Sequence, residues 1–271
     1  MVDSNDMTLR ERLKDSKRIV VKIGTSSLTY DNGHINMFRI GHLSRVLCDL
    51  VNQGREVILV SSGAIGIGVD KLKLGKKPDY VSGRQAAAAV GQCMLMNIYS
   101  QFFAEYGHNV AQILLTKDVV ERPESKENVI NTFNELIKMS VVPIVNENDT
   151  VSVDEIKFGD NDYLSYIVAS LVDADALIIL TDIDGFYDKN PSSHSDAVLY
   201  HNIVDLSEKI EAAAGGAGSN LGTGGMLTKV HACRLAADRG INSVIANGET
   251  PEIIYDIIAG EDVGTMFVGK R

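Results

Sequence analysis

Short apolar runs rich in β-branched residues recur along the chain and alternate with stretches of helical period. They cover seven ranges: Ile19–Ile23, Val57–Val60, Val110–Leu115, Val141–Val145, Ala176–Leu180, Ser243–Ala246 and Met266–Val268. Runs that are apolar on both faces predict buried strands, whereas Met37–Val51 and Gln85–Tyr106 repeat apolar residues with the period of a helix. Because buried strands that alternate with helices form sheets covered on both sides, the sequence predicts an α/β fold with a mainly parallel sheet.

Composition and charge exclude several classes of protein. With 271 residues, of which 45% are hydrophobic, the chain can bury a large core, as one domain or as two fused lobes. The formal net charge of −10 argues against binding to nucleic acid or to anionic membranes, which depends on clustered Lys and Arg. The three cysteines form no CxxC pair, and the histidines lack the spacing of a zinc site. Since the sequence has neither a signal-peptide pattern nor a membrane-spanning run, we expect a cytoplasmic enzyme.

Four polar segments that contain or border glycine each follow a predicted strand. The carboxyl ends of parallel strands meet at one edge of a sheet, where such folds bind ligands. In the first segment, Lys22 near the end of a strand is followed by Gly24, Thr25 and Ser26. An ammonium group and free backbone N–H groups suit phosphate oxygens. The alternative is a structural lysine whose ammonium group reaches solvent at the strand end.

Ser62, Gly63 and Ala64 form the second segment and open a predicted helix. The N–H groups at the start of a helix can bind a carboxylate or a phosphate. The alternative is that these small residues only allow the helix to pack closely on its strand. The glycines at 63, 66 and 68 do not match the dinucleotide pattern GxGxxG, and no Walker A pattern occurs in the chain.

The third segment is rich in carboxylates and amides. Asn146 and Asp149 follow the fourth predicted strand, and Asn161 and Asp162 follow Val151–Phe158, which alternates like a short hairpin and could form a lid. Carboxylates and amides in this density can bind an ammonium group and orient lysines. The alternative is that they form Asx turns and a helix cap, which accounts for some of them but not for all.

The fourth segment combines Thr181 and Asp182 with the glycine-rich stretch Ala212–Gly225 and with Lys229 in the helix predicted after it. The acidic spacing after Thr181 fails the calcium-loop pattern of an EF-hand. We interpret the glycine-rich stretch and Lys229 as a nucleotide phosphate loop of a type other than Walker A. Two lysines far apart in sequence, acidic partners and anion-binding turns together predict phosphoryl transfer by positioning and charge stabilisation.

Taken jointly, these motifs carry a resemblance to a known family. They are Val20-Val21-Lys22-Ile23-Gly24-Thr25-Ser26, Ser61-Ser62-Gly63-Ala64-Ile65, Val145-Asn146-Glu147-Asn148-Asp149, Gly159-Asp160-Asn161-Asp162, Leu180-Thr181-Asp182 and Gly222-Thr223-Gly224-Gly225-Met226-Leu227-Thr228-Lys229. The chain resembles the amino-acid kinase family, and within it the glutamate 5-kinases, over nearly its full length. The resemblance implies a three-layer α/β/α sandwich that uses ATP and Mg²⁺. It also implies phosphorylation of the side-chain carboxylate of L-glutamate to L-glutamyl 5-phosphate, the first step of proline biosynthesis.

The resemblance assigns roles to individual residues. Lys22 and Lys229 would neutralise charge on the transferring phosphoryl group, and Asp162 would orient them. The residues implied to bind glutamate are Ser62, Gly63, Ala64, Asn146, Asp149 and Asn161. The residues implied to bind ATP are Lys22, Gly24, Thr181, Asp182, Thr223, Gly224, Gly225, Met226, Leu227, Thr228 and Lys229. Leu227 departs from the family pattern, because many relatives have Ser there, so a hydroxyl contact at this position is not expected.

The resemblance further implies one domain over residues 1–271, with a glutamate lobe at 1–172 and a nucleotide lobe at 173–271. Many glutamate 5-kinases carry an additional carboxyl-terminal PUA domain, and we expect none within these residues. It implies proline as a feedback inhibitor, a homo-oligomer and functional coupling to glutamyl phosphate reductase. Kinases for N-acetylglutamate, aspartate or uridylate are rivals with the same fold, but the acidic and amide groups suit a free α-ammonium group. A ligand-sensing module without catalysis is a further rival, against which both lysines argue.

Overall fold

The computed structural model describes residues 9–30, 32–151, 161–205 and 225–270, apart from the side chain of Asp118. Most of the predicted hairpin lid lies outside these ranges, and so does the glycine-rich stretch except for Gly225. Two predicted nucleotide-binding residues, Thr223 and Gly224, lie outside them as well. Within the described ranges, no helix is long and apolar enough to cross a membrane.

Eight strands form one sheet in the described part of the chain. They are β1 (Arg18–Ile23), β2 (Glu56–Ser61), β3 (Asn109–Leu115), β4 (Val141–Glu147), β5 (Ala176–Thr181), β6 (Asn202–Ile203), β7 (Asn242–Asn247) and β8 (Thr265–Phe267). Their order is β3-β4-β2-β1-β5-β7-β8-β6, and all neighbours are parallel except β7 and β8. All seven predicted strands are present, and the mainly parallel sheet confirms the predicted α/β fold. Strand β6 was missed because two residues are too few to show a pattern.

Helices cover both faces of the sheet. They are α1 (Thr25–Leu28), α2 (Met37–Asn52), α3 (Ala64–Lys71), α4 (Val81–Glu105), α5 (Lys117–Glu121), α6 (Pro123–Lys138), α7 (Asn161–Leu171), α8 (Met226–Asp238) and α9 (Ile253–Ile258), together with a 3₁₀ turn at Glu11–Leu13. The two helices predicted from apolar periodicity correspond to α2 and α4, and both end close to the predicted residues.

Alternate residues of the central strand β1 face two separate cores. Ile19, Val21 and Ile23 pack on the face covered by α2, α4 and α9, whereas Val20 packs on the face covered by α7 and α8. This arrangement gives the three layers of the expected sandwich. Because side chains alternate along a strand, Lys22 points to the same face as Val20, towards α7 and α8.

Helices α3 and α4 touch backbone to backbone. A Cβ atom added to Gly91 would lie 1.7 Å from the carbonyl oxygen of Ala64, and one added to Gly68 would lie 1.8 Å from that of Ala87. Only glycine fits at such distances. Gly68 therefore allows two helices to pack closely, and the contact fixes the start of α3. The alternative interpretation of the small residues after β2 was packing of the helix on its strand, which is a different contact.

Candidate active site

The predicted segments meet because the central strands are in register. Lys22 on β1 lies beside Val60 on β2 and beside Ile179 on β5. The polar residues after these strands therefore begin at the same level, at the carboxyl edge of the sheet. Strand β4, parallel to β2, adds Asn146 to this edge.

Two lysines from distant parts of the chain hold one carboxylate. The ammonium nitrogen of Lys22 lies 2.5 Å from Oδ1 of Asp162, and that of Lys229 lies 3.1 Å from Oδ2. The lysine side chains are only 4% and 9% exposed, and Asp162 is fully buried. The alternative of a lysine whose ammonium group reaches solvent therefore does not apply to Lys22. The three groups carry one positive charge in excess, which suits an anionic ligand.

Two residues of this cluster, Asp162 and Lys229, are positioned by the starts of helices. Asp162 is in the first turn of α7 and Lys229 is in the first turn of α8, which begins after Gly225. The hydroxyl of Thr228 donates a hydrogen bond of 2.8 Å to Oδ2 of Asp162. Burial raises the pKa of Asp162, but the ammonium groups of Lys22 and Lys229 and the hydrogen bond from Thr228 outweigh it and lower the pKa to about 2. Asp162 is thus an anion at neutral pH.

A chain of hydrogen-bonded amides lies beside the cluster. The amide nitrogen of Asn161 donates to the carbonyl oxygen of Ser61 at 3.0 Å, to the hydroxyl oxygen of Ser62 at 2.9 Å and to Oδ1 of Asn146 at 2.9 Å. The amide nitrogen of Asn146 in turn donates to Oε1 of Gln92 at 2.9 Å. Three predicted glutamate-binding residues are therefore directly connected.

The sequence analysis missed Gln92. This residue lies in the middle of α4, where Leu95 and Tyr99 are buried on the same side of the helix. A glutamine in line with buried residues at i+3 and i+7 is a signal that the sequence offers. Tyr99 is also polar within this stripe, and its hydroxyl is 2.9 Å from the hydroxyl of Ser61.

Three other residues that are predicted to bind glutamate lie near this edge. Gly63 has φ +100°, a left-handed conformation that favours glycine, and it directly precedes α3, whose first residue, Ala64, is buried. Asp149 follows β4 in a turn and is partly buried. The described geometry thus brings Asp149 to the same edge as Asn146, as the sequence predicts.

The predicted nucleotide residues lie at the ends of β1 and β5 and at the start of α8. A Cβ atom added to Gly24 would lie 3.7 Å from the ammonium nitrogen of Lys22, so the backbone at Gly24 lies directly beside that group. The hydroxyl of Thr181 donates to Oδ1 of Asp182 at 3.1 Å. In α8, Met226 is buried and Leu227 is 50% exposed.

A second polar residue missed by the sequence analysis ends strand β7. The amide nitrogen of Asn247 donates to Oδ1 of Asp184 at 3.1 Å, beside the segment that follows β5. The rule that flagged the other segments, a polar residue directly after a buried run, also applies to Asn247. It was missed because a single asparagine was not distinguished from an ordinary turn.

Mg²⁺ fits this site as a companion of nucleotide phosphates. Among the residues described, no group of three or more His, Cys, Asp or Glu side chains converges. Mg²⁺ usually takes only one or two carboxylates from the protein and completes its shell with phosphate oxygens and water. Asp182, which is predicted to bind the nucleotide and is exposed at the end of β5, could take such a role.

A cavity of about 610 Å³ lies at the opposite edge of the sheet. Its lining includes Arg12, Asp173, Asp175, Arg239 and Asn242, which precede or begin strands β1, β5 and β7. Oppositely charged groups are mixed there, and the predicted site residues that the structure describes lie at the other end of the strands. The charged cluster at the carboxyl edge, rather than this cavity, is therefore the candidate active site.

Comparisons with known proteins agree with this architecture. The sequence profile described as "Amino acid kinase family" matches residues 17–247. The solved structure of the UMP kinase from Bacillus anthracis covers 94% of this chain at a TM-score of 0.65, with 97% of that chain aligned and 17% identity. The carbamate kinase from Giardia lamblia, solved bound to AMP-PNP, covers 94% at a TM-score of 0.67, with 99% of that chain aligned and 16% identity. At these identities the two structures establish the fold alone.

Curated sequences are far more similar. The glutamate 5-kinase of Clostridium perfringens is 58% identical over 267 residues, which are 97% of this chain and 99% of that protein. The glutamate 5-kinase of Listeria innocua is 55% identical over 97% of both chains. These matches confirm the resemblance inferred from the motifs. The chain belongs to the amino acid kinase family.

Proposed function

We propose that this chain catalyses the ATP-dependent phosphorylation of L-glutamate to L-glutamyl 5-phosphate, the first step of proline biosynthesis. The observation that carries the proposal is the convergence of Lys22 and Lys229 on the buried carboxylate of Asp162. The cluster lies beside an amide network suited to an amino acid. Relatives with more than half of their residues identical bear the name glutamate 5-kinase.

The reaction brings two anions together. A carboxylate oxygen of glutamate attacks the γ-phosphorus of ATP, the bond between that phosphorus and the bridging oxygen breaks, and ADP leaves with the electron pair. The main task of the protein is to position the two reactants and to offset their repulsion. Lys22 and Lys229 supply the positive charge, and Asp162 keeps both ammonium groups in place because it remains ionised.

The substrate is divided between the two sides of the edge. The amide and hydroxyl groups of Asn161, Asn146 and Ser62 would hold the polar groups of glutamate, and the carboxylate of Asp149 would pair with its α-ammonium group. The start of α8, together with Thr181 and Asp182, would hold the nucleotide. Bound Mg²⁺ would supply charge neutralisation on the phosphate oxygens.

Several narrower expectations belong to the same proposal. We assign residues 1–172 to a glutamate lobe and residues 173–271 to a nucleotide lobe. Strands β1 to β4 form one half of the sheet and β5 to β8 the other, which supports this division. A cytoplasmic location, proline as feedback inhibitor, self-association and coupling to glutamyl phosphate reductase follow from the same function.

One assay tests the proposal directly. The purified chain is incubated with ATP, Mg²⁺ and, separately, glutamate, N-acetylglutamate, aspartate or uridylate, and ADP formation is measured. We expect strong turnover with glutamate alone, abolished by chelation of Mg²⁺. Turnover of N-acetylglutamate or uridylate without turnover of glutamate would contradict the proposal.

A further inference from the structure

The hydrogen bonds of the amide network can run in only one direction. The carbonyl oxygen of Ser61 can only accept, so Asn161 must present its amide nitrogen there. The backbone N–H of Glu147 can only donate, and it lies 2.9 Å from Oδ1 of Asn146. The nitrogen of the Asn146 side chain is thereby turned towards Gln92, which must present its carbonyl oxygen Oε1. Backbone groups at two points therefore fix the orientation of all three amides.

Gln92 is the last member of this network and is held rigidly. It is 8% exposed, and its neighbour Gly91 is the residue at which α4 touches the backbone of Ala64. The contact ties the backbone at Gln92 to the start of α3, next to Ser62. Among the described residues, no acceptor lies within hydrogen-bonding distance of the Gln92 nitrogen Nε2, so the hydrogen bond that this side chain forms is the one it accepts from Asn146.

We propose that Gln92 is a positioning residue for the acceptor substrate, which acts through Asn146. This inference rests on the proposed function and adds a residue from α4 to the glutamate side of the site. The carbonyl oxygen of Gln92 satisfies the Asn146 nitrogen, and Asn146 can then keep its own oxygen on Asn161. Without that acceptor, the side-chain nitrogen of Asn146, a residue that is only 3% exposed, loses its hydrogen-bond partner. The loss destabilises this arrangement of the network.

Substitutions at Gln92 separate positioning from packing. Gln92→Leu keeps the approximate volume and removes the acceptor, whereas Gln92→Glu keeps an oxygen that can accept from Asn146. Gln101→Leu is the matched control, because Gln101 is an exposed glutamine on the same helix. We expect Gln92→Leu to raise KM for glutamate about tenfold or more while KM for ATP stays within about twofold, since the hydrogen bonds of the network among the described residues join only residues assigned to the glutamate lobe. The KM for glutamate of Gln92→Glu should stay within about threefold of the parent value, and that of Gln101→Leu should equal the parent value.

A double-mutant cycle tests whether the effect passes through Asn146. If Gln92 acts through this residue, adding Gln92→Leu to Asn146→Ala should raise KM for glutamate by less than about twofold. Thermal unfolding checks that each variant is folded, and Gln92→Met replaces Gln92→Leu if the latter does not fold. An unchanged KM for glutamate in the folded variant, equal increases in both KM values, an additive cycle, or a Gln92→Glu variant as impaired as Gln92→Leu would each overturn the proposal.

Assays of the parent protein distinguish a failure of this inference from a failure of the proposed function. If the parent turns over another acceptor of the panel instead of glutamate, the proposed function has failed, and the KM for that acceptor decides the role of Gln92 by the same criteria. If the parent neither turns over nor binds any acceptor in titration calorimetry, both proposals are overturned.

Discussion

Lys22 and Asp162 form an ion pair of 2.5 Å in a place where the lysine side chain is 4% exposed and the carboxylate is fully buried. A charge pair removed from water contributes little net stability but is costly to break, because the remaining charge stays buried. Lys229 pairs with the other carboxylate oxygen of Asp162, so a second positive charge lies at the same point. This arrangement is expected of a site that receives an anion.

Removal of either lysine should impair chemistry more than binding. We expect Lys22→Ala and Lys229→Ala each to lower kcat by roughly 10²–10³, because each removes one charge that stabilises the transition state. Lys270→Ala is the control, since Lys270 forms an exposed pair with Asp238 far from the edge. Initial rates at saturating ATP and glutamate give kcat, and a near-normal value in either variant would return that lysine to a structural role.

Asp162→Asn should destabilise the protein in a pH-dependent way. At neutral pH the variant leaves two buried lysines without their counter-ion, which should cost about 3–5 kcal/mol of unfolding free energy. The pKa of Asp162 is lowered from 3.8 to about 2 in the folded protein, so its stabilising effect is complete above the unfolded value and is lost as the pH falls. Urea unfolding of the parent and of Asp162→Asn gives the free energy of unfolding of each protein. The difference between the two free energies should narrow by about 1 kcal/mol between pH 6 and pH 3. A difference that does not change with pH would mean that Asp162 is not ionised.

Asp149→Ala should affect one substrate selectively. The carboxylate is proposed to pair with the α-ammonium group of glutamate, so KM for glutamate should rise at least tenfold while KM for ATP changes little. Asp256→Ala, an exposed residue of α9, serves as the control. Equal increases in the two constants would show that Asp149 does not belong to the glutamate side.

Proline should compete with glutamate. Its α-carboxylate and cationic amine match the groups offered by Asp149 and by the turn at Ser62, but it has no side-chain carboxylate to phosphorylate. Initial rates over a matrix of proline and glutamate concentrations should show a raised KM for glutamate at constant kcat. An effect on kcat alone, or no effect at millimolar proline, would contradict a shared site.

Arg10 should be essential for stability. Its guanidinium donates to the carbonyl oxygens of His201, Val263 and Gly264 at 2.7–3.1 Å, and the residue is only 2% exposed. Arg10→Ala leaves these oxygens without a charged donor, and we expect a loss of about 3 kcal/mol or more in unfolding free energy. Arg12→Ala is the control, and it should change the free energy of unfolding by less than about 0.5 kcal/mol. Chemical denaturation measures both variants. If Arg10→Ala and Arg12→Ala lower the free energy of unfolding by equally small amounts, Arg10 does not stabilise the fold as proposed.

Much of the site could be predicted because its signals are local. A polar residue directly after a buried apolar run marks the carboxyl end of a strand, and this rule selects Asn146, Thr181 and the pair Ser61 and Ser62. Lys22 is instead recognised as a cation inside an apolar run that ends in a Gly-Thr-Ser turn. The roles of these residues came from the resemblance, and they stay predictions until kinetics test them. Thr223 and Gly224 lie outside the described residues.

The sequence by itself determined seven of the eight strands described, the two long helices and the edge at which the polar segments gather, because periodicity and strand ends depend only on neighbouring residues. Only the tertiary structure decided which face of β1 carries Lys22, and that Asp162 and Lys229 meet it there, because register and helix placement depend on contacts between distant segments. The same reason explains why Gln92 was missed. Its polar character is local, but its hydrogen bond to Asn146 exists only after α4 has packed against the start of α3.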